Sequence, residues 1–310
     1  FAHRVAEITN GEFRIDVHPA GEIASLADAP DLVAKGEIEA AHVAAYWYAS
    51  KNPVYTLASS IPFGLNQRLM TAWFQAGGGE EQLNRFFHAQ GFHAICCGHT
   101  GAQMGGWFMR EIIEPEDFRG VKMRIGGFAG TVLKKLGLVS VDIPIGQLSA
   151  ALKDGRLDAA EWIGPYDDEK LGLNMVAPFY HYPAFWEGNT AFHLLINHES
   201  WKSLPLAYRA AIEAAAAYAS VGMMARYDQA NPAALHRLVE SGTQLRPFSR
   251  NVLEAASRAA KATYAEISQG NPLFRDILAS QAAFMSAGYD WFQIAEYNFD
   301  SFQIRSRTGV

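Results

Sequence analysis

Apolar and polar positions along this chain switch between a helical and an alternating period, and the switches mark its elements. At Phe1 the chain opens within an amphipathic helical pattern. Phe13-Arg14-Ile15-Asp16-Val17 then alternates as a strand does. The most useful signal is a weak repeat. Ala34-Lys35-Gly36-Glu37-Ile38-Glu39-Ala40-Ala41-His42 resembles Lys153-Asp154-Gly155-Arg156-Leu157-Asp158-Ala159-Ala160-Glu161. In both copies a short helical run stops at a glycine, which accepts the left-handed C-cap because it has no Cβ. A short strand follows. The repeat predicts an α/β fold of two related lobes. In open α/β sheets ligands gather beyond the carboxyl ends of the strands. His42 to Tyr48 and Glu161 to Tyr166 are therefore expected to line one cleft from opposite lobes.

Other elements extend this reading. Gly120 to Ile125 is a strand leading into Gly126-Gly127, and Ala191 to Asn197 and Thr243 to Arg246 are two more. Ser203-Leu204-Pro205 opens a long alanine-rich helix that runs to about Ala230, is kinked or restarted at Asn231-Pro232, and ends at Gly242. Ser249 caps a further helix. From Asn271-Pro272 onward the chain reads helical, and aromatics crowd its end: Phe284, Tyr289, Trp291, Phe292, Tyr297, Phe299 and Phe302. A solvated terminal helix does not expose that much apolar surface, so the tail either docks back onto its own chain or, as the preferred expectation, forms a homodimer through the C-terminal helix. The lobes divide as 1–122 plus 206–250 and 123–205 plus 251–310, the second carrying the dimerisation helix.

Composition narrows the function. A chain of 310 residues is long for one domain, and 49% hydrophobic with 19% charged residues supports a sizeable core. The net charge of -6 argues against nucleic acid, which selects a basic stripe. No apolar run reaches the ~18 residues of a membrane span. The sequence opens inside a helix at Phe1 without a signal peptide in view, so a processed or trimmed N-terminus is expected. Cys96 and Cys97 are adjacent, a spacing that rarely meets disulfide geometry, and read as buried thiols on a strand.

Three segments gather polar groups among aromatics and glycines: Gly98 to Trp107, Glu161 to Tyr166, and Phe185-Trp186-Glu187-Gly188. With Arg124 they supply the aromatic walls and few fixed polar groups of a small-ligand pocket. Arginine holds a planar carboxylate through two parallel hydrogen bonds. Glu161, Glu187 and Gln103 offer hard oxygen ligands suited to Na⁺, Ca²⁺ or Mg²⁺. Competing motifs fail on their own terms. Gly77-Gly78-Gly79 lacks the Lys-Ser/Thr of a P-loop, and Gly126 to Gly130 lacks dinucleotide spacing. Asp167-Asp168-Glu169 reads as an acidic helix start. The histidines never pair at zinc spacing, and there is no Gly-x-Ser-x-Gly elbow.

The segments GAQMGGWF, GVKMRIGGFAG, DAAEWIGPYDDEKLG and FWEG, with the tail AEYNFDSFQ, resemble the solute-binding subunits of tripartite ATP-independent periplasmic (TRAP) transporters, in the branch that binds 2-oxo acids such as pyruvate. The resemblance implies a periplasmic protein with two α/β lobes, crossing strands, a long connecting helix and a ligand cleft between the lobes. It implies that Arg124 salt-bridges the substrate carboxylate. It also implies a bridging Na⁺ or Ca²⁺ held by Gln103, Glu161, Glu187 and the Trp162 carbonyl, with membrane subunits of the transporter as partners. His99 stands where the branch commonly has Asn. A strand is expected ahead of Phe1. Trp47, Tyr48, Trp162 and Trp186 are the expected aromatic walls. Two other readings use the same residues: a binder of a 2-hydroxy acid such as lactate, and a metal-dependent lyase or hydratase with His99 as general base. A third is a ligand-sensing receptor domain.

Overall fold

The computed structural model describes residues 1–307 and contains two sheets. The first has three antiparallel strands in the order β1-β8-β2, namely Ala40–Val43, Ala191–Asn197 and Phe92–His99. The second has six, in the order β5-β4-β6-β3-β7-β9. These are Val139–Ser140, Lys122–Arg124, Ala159–Ala160, Trp107–Phe108, Phe179–Tyr182 and Gln244–Pro247. β5, β4 and β6 run parallel, β3 is antiparallel to β6 and β7, and β9 runs parallel to β7.

The two copies of the repeat fall in different sheets. The helix Ala29–Lys35 ends at Gly36 with φ 74°, and β1 follows. The helix Leu148–Lys153 is followed by Gly155 at φ 75° and then β6. Each sheet has its own apolar packing. Trp73, Phe74, Phe87 and Leu195 pack about the first, and Phe108, Phe118, Met123 and Phe248 about the second.

Sheet membership corrects the division expected from sequence. β8 pairs with β1 and β2, so residues 191–197 belong with the first sheet and not the second lobe. β3 and β9 lie in the second sheet, although 1–122 and 206–250 had been assigned to the first lobe. Residues 308–310, assigned to the second lobe, lie outside the described residues. The strand expected at Phe13 to Val17 is also corrected. Phe13 and Ile15 do turn inward, Phe13 onto a helix: its ring stacks on Tyr208 at 4.7 Å. Alternating burial is therefore present without a paired ladder.

The chain passes between the sheets three times: between β2 and β3, between β7 and β8, and through the helix Leu206–Glu240 that joins β8 to β9. The two short crossovers are tied together. Thr100 N–H donates to the Thr190 carbonyl (3.1 Å) and Gly101 N–H to Asn189 Oδ1 (3.2 Å). The long helix continues through Pro232 without a break. Its first half buries Ala211, Ile212, Ala215 and Ala216 against the first sheet; its second half buries Ala234 and Leu238. Among the described residues, no helix is long and apolar enough to cross a membrane.

Candidate functional site

Strand ends and crossovers deliver the polar residues to one place. Arg124 is the last residue of β4, and Glu161 follows β6 immediately beside it. Their backbones lock through Glu161 N–H to the Arg124 carbonyl at 3.0 Å. The Arg124 Nη1 donates to the Glu161 carbonyl at 2.8 Å and stands 3.6 Å from its carboxylate Oε2. The guanidinium lies 5.2 Å from the Trp162 ring centroid. Gln103 and Glu187 come from the two short crossovers, which meet where Gln103 N–H approaches the Glu187 carbonyl at 3.4 Å. Gln103 Nε2 donates to the Thr100 and Thr190 hydroxyls (3.1 and 2.9 Å), and the Thr190 hydroxyl donates to Glu187 Oε2 at 3.1 Å. With its NH₂ engaged, Gln103 is left with a free acceptor.

These groups are sealed from water. Gln103, Glu161 and Glu187 are 6%, 2% and 4% exposed. Glu161 Oε1 and Gln103 Oε1 are buried and have no hydrogen-bond partner. Burial, and then the neighbouring Glu187 charge, hold the Glu161 carboxyl well above the usual carboxylate range despite Arg124. Burial raises Glu187 to about 7, opposed by the Thr190 hydroxyl and Arg124. Ionised together, two carboxylates against one guanidinium would leave a negative imbalance in a dry space, which is why both carboxyls are pushed toward the protonated form; unpartnered acceptors there are costly. Among the described residues no three His, Cys, Asp or Glu side chains form a metal-binding group. The donor set is instead two carboxylates with an amide oxygen. Such hard oxygens fit Na⁺ or Ca²⁺, and the two unpartnered acceptors match that fit.

The remaining expected residues divide. Trp186 is buried against Phe185 and Phe248, with ring centroids 4.6 and 5.8 Å away, and its Nε1 has no partner. Trp47 is half-buried and meets Tyr46 edge-on at 5.9 Å. Tyr48 departs from expectation: its hydroxyl donates to the Leu26 carbonyl at 2.7 Å and its ring packs on Tyr55, so it belongs to the first-sheet core. His99 is buried, and its hydrogen bonds go to Asn189 (3.0 Å), Thr71 (3.1 Å) and Cys96 (3.4 Å), not to the acidic residues. Burial lowers its pKa to about 4, so it is neutral.

Tyr46 takes the place expected of Tyr48. A Cβ on Gly127 would stand 2.7 Å from the Tyr46 ring, and Gly127 itself has φ 58°, so only glycine lets the loop after β4 lie against this ring. Burial, then the Glu187 and Glu161 charges, raise the Tyr46 hydroxyl well above its ordinary value. Asp168, within the acidic helix start, does more than complement the helix dipole. It is buried and accepts from Tyr180 (2.7 Å), Trp107 (2.9 Å) and the Ile163 N–H (3.1 Å), bracing the turn after Glu161. Thr100, Asn189 and Thr190 carry no sequence signal that separates them from ordinary loop residues.

The description of bacterial extracellular solute-binding proteins, family 7, matches residues 1–271. The monocarboxylate 2-oxoacid-binding periplasmic protein of Nostoc sp. (strain PCC 7120) is 38% identical over 306 residues, 99% of this chain and 84% of that protein. A TRAP transporter solute-binding protein from Bordetella bronchiseptica RB50 superposes with a TM-score of 0.95 at 40% identity, over 98% of this chain and 91% of that one. Its crystals contain a mixed-occupancy dimer, with copurified calcium and picolinate in one active site and the other site apo. A TRAP periplasmic solute-binding protein from Pseudoalteromonas atlantica T6c, with bound sodium and pyruvate, gives a TM-score of 0.91 at 31% identity, over 97% of this chain and 92% of that one. The chain belongs to family 7 of the bacterial extracellular solute-binding proteins, the solute receptors of TRAP transporters, and is not an enzyme.

Proposed function

We propose that this protein captures a short 2-oxo monocarboxylate such as pyruvate in the periplasm and hands it to the membrane subunits of a TRAP transporter. The observation that carries the reading is the partly exposed Arg124 set against the buried Glu161, Glu187 and Gln103, with two buried acceptors that no protein donor reaches. Arg124 offers its remaining N–H groups to the carboxylate of the ligand. Gln103, Glu161, Glu187 and the Trp162 carbonyl are the groups that would hold Na⁺ or Ca²⁺. When bound, the cation would offset the excess negative charge, Na⁺ in part and Ca²⁺ fully, and would act as a Lewis acid toward the oxygens of the ligand. Trp162, Trp186 and Tyr46 exclude water and limit ligand length. The relatives with sodium and pyruvate, or with calcium and picolinate, support this assignment, because both ligands carry a second donor beside a carboxylate.

The test is a calorimetric titration of pyruvate, and of propionate as a control without the keto oxygen, into chelator-treated protein in Na⁺-free buffer. Pyruvate binds weakly there and recovers affinity when Na⁺ or Ca²⁺ is restored, while propionate gains little. Undiminished pyruvate affinity without either ion refutes the bridge.

We also assign a homodimer to the C-terminal helix Glu296–Ser306. It buries no residue, and Ile294 and Phe302 beside and within it are 71% and 69% exposed. The dimer of the Bordetella relative supports this assignment.

A further inference from the structure

The helix Pro165–Lys170 begins directly after the Glu161–Gly164 turn, and its N-cap residue is Gly164. Glycine has no side chain with which to accept the orphan N–H groups of a helix start. The acceptor comes from elsewhere. Asn231, in the second half of the long helix, accepts the Tyr166 N–H through Oδ1 at 3.1 Å. The long helix also meets this short helix at two more points, away from its N-terminal N–H groups. The Tyr227 hydroxyl donates to Asp167 Oδ2 at 2.8 Å, and Arg237 forks onto the Glu169 carboxylate at 2.8 and 2.7 Å. Tyr227, Asn231 and Ala234 fall at helical i, i+4, i+7 spacing and Arg237 lies one turn beyond, so the contacts share one side of the long helix.

From the short helix the chain of contacts runs back to the ligand residues. Asp168 holds the Ile163 N–H, and the Ile163 carbonyl accepts from Met104 N–H at 3.0 Å, next to Gln103. The same long helix presses Met223 and Met224 on the other side of the site. A Cβ on Gly98 would meet Met223 Sδ at 2.7 Å, and one on Gly101 would meet the Met224 methyl at 2.9 Å.

We propose that Asn231 is a positioning residue. Reaching from the long helix, it caps the Pro165–Lys170 helix and thereby holds the Trp162–Gly164 turn in its binding conformation. It contacts no ligand; it acts through the turn. Without the cap the turn frays in the free protein, and ligand must re-form it, which lowers the apparent affinity by the fraction of time the turn is misformed. The ligand identity rests on the proposed function; the cap itself does not.

The experiment compares Asn231→Ala, Asn231→Asp and Arg237→Gln by two readouts. Hydrogen exchange of the Tyr166 amide is followed in the ligand-free protein, and pyruvate is titrated in saturating Na⁺. Asn231→Ala is expected to speed Tyr166 exchange and weaken pyruvate binding, each by about tenfold, an effect of the size of a lost helix cap. Asn231→Asp keeps an acceptor and restores both to within about threefold. Arg237→Gln breaks an exposed ion pair in the same contact and leaves both unchanged. An alanine variant that loses thermal stability but keeps Tyr166 protection and pyruvate affinity makes Asn231 merely structural and overturns the proposal. If the wild-type protein does not bind pyruvate, the ligand assignment fails separately, and Tyr166 exchange alone decides the cap.

Discussion

Replacing Arg124 with lysine keeps a positive charge beside Glu161 but removes the planar fork. In the structure Nη1 is already committed to the Glu161 carbonyl at 2.8 Å, and the guanidinium also lies over Trp162. Nη2 and Nε remain for an incoming carboxylate. A lysine ammonium is a single point donor on a flexible stem, and it cannot hold both the carbonyl and a ligand in that geometry. The loss is at least one charge-assisted hydrogen bond in a dry site, about 1.5–3 kcal/mol, which is roughly 10- to 150-fold in Kd. Stability of the ligand-free protein changes less, because Glu161 keeps a cationic neighbour. Pyruvate calorimetry in saturating Na⁺ or Ca²⁺, beside urea unfolding without ligand, separates the two quantities. A well-folded Arg124→Lys protein that binds pyruvate within threefold of wild type removes Arg124 from the carboxylate site.

Other perturbations probe different parts of the argument. Glu187→Gln removes a carboxylate that burial has raised to about 7; the ligand-free protein should melt no lower than wild type while the rise in Tm on adding Ca²⁺ shrinks, and an unchanged Ca²⁺ shift in scanning fluorimetry contradicts the role. His181 is buried, accepts the Ile112 N–H at 3.2 Å through Nε2, and has its pKa lowered from 6.5 to about 4 by burial and then by Arg246. Its neutral form is the folded one, so the stability it contributes is complete above pH 6.5 and is lost as pH falls toward 4. Urea unfolding of wild type and His181→Gln at pH 7.5 and 5.5 should show the gap moving by about 1.4 kcal/mol in favour of the variant at the lower pH, and a pH-independent gap refutes this. Deleting residues 296–310 removes the exposed terminal helix and should yield monomers in sedimentation, whereas a dimer that persists places the interface elsewhere.

Much of the fold was legible because local rules agreed with each other. Gly36 and Gly155 end their helices as the repeat required, and β1 and β6 follow them in separate sheets. The errors came where a local pattern has two structural solutions. Alternation at Phe13 to Val17 is as compatible with packing on a helix as with a ladder, and Tyr208 supplies the helix. A strand continued through Tyr48 would have put Tyr46 and Tyr48 on one face. The segment Ala45–Tyr48 is a 3₁₀ turn, where residues two apart diverge, so Tyr46 faces the acidic site and Tyr48 the core. The return of β8 to the first sheet had no signature in sequence, since a strand's residues do not name its partner. Arg124, Gln103, Glu161 and Glu187 stand out as candidates by residue chemistry, but the family resemblance is what joins them into one site. Composition alone does not bring together positions more than eighty residues apart.

The placement of the four polar residues explains why capture and closure belong to one event. Arg124 and Glu161 sit at the ends of strands of the second sheet, while Gln103 and Glu187 lie on the chain segments that pass between the sheets. Tyr46, from the end of β1, covers the glycine turn after β4. The oxygen set is therefore complete only when both sheets and both crossovers hold one relative arrangement. A cation and a 2-oxo acid that contact all of them favour this arrangement over any other by their differential affinity. Without them, the closed site must either hold two carboxylates beside one arginine or take up protons on Glu161 and Glu187, and that cost, with the loss of hydration, favours opening. On this reading the empty receptor is expected to be open and the loaded one closed. Small-angle scattering tests this directly: wild-type protein should contract when Na⁺ and pyruvate are added together. Glu187→Gln relieves the repulsion, so it should be more compact than wild type before any ligand is added. A variant as expanded as the wild type in Na⁺-free buffer would show that charge repulsion does not set the open state.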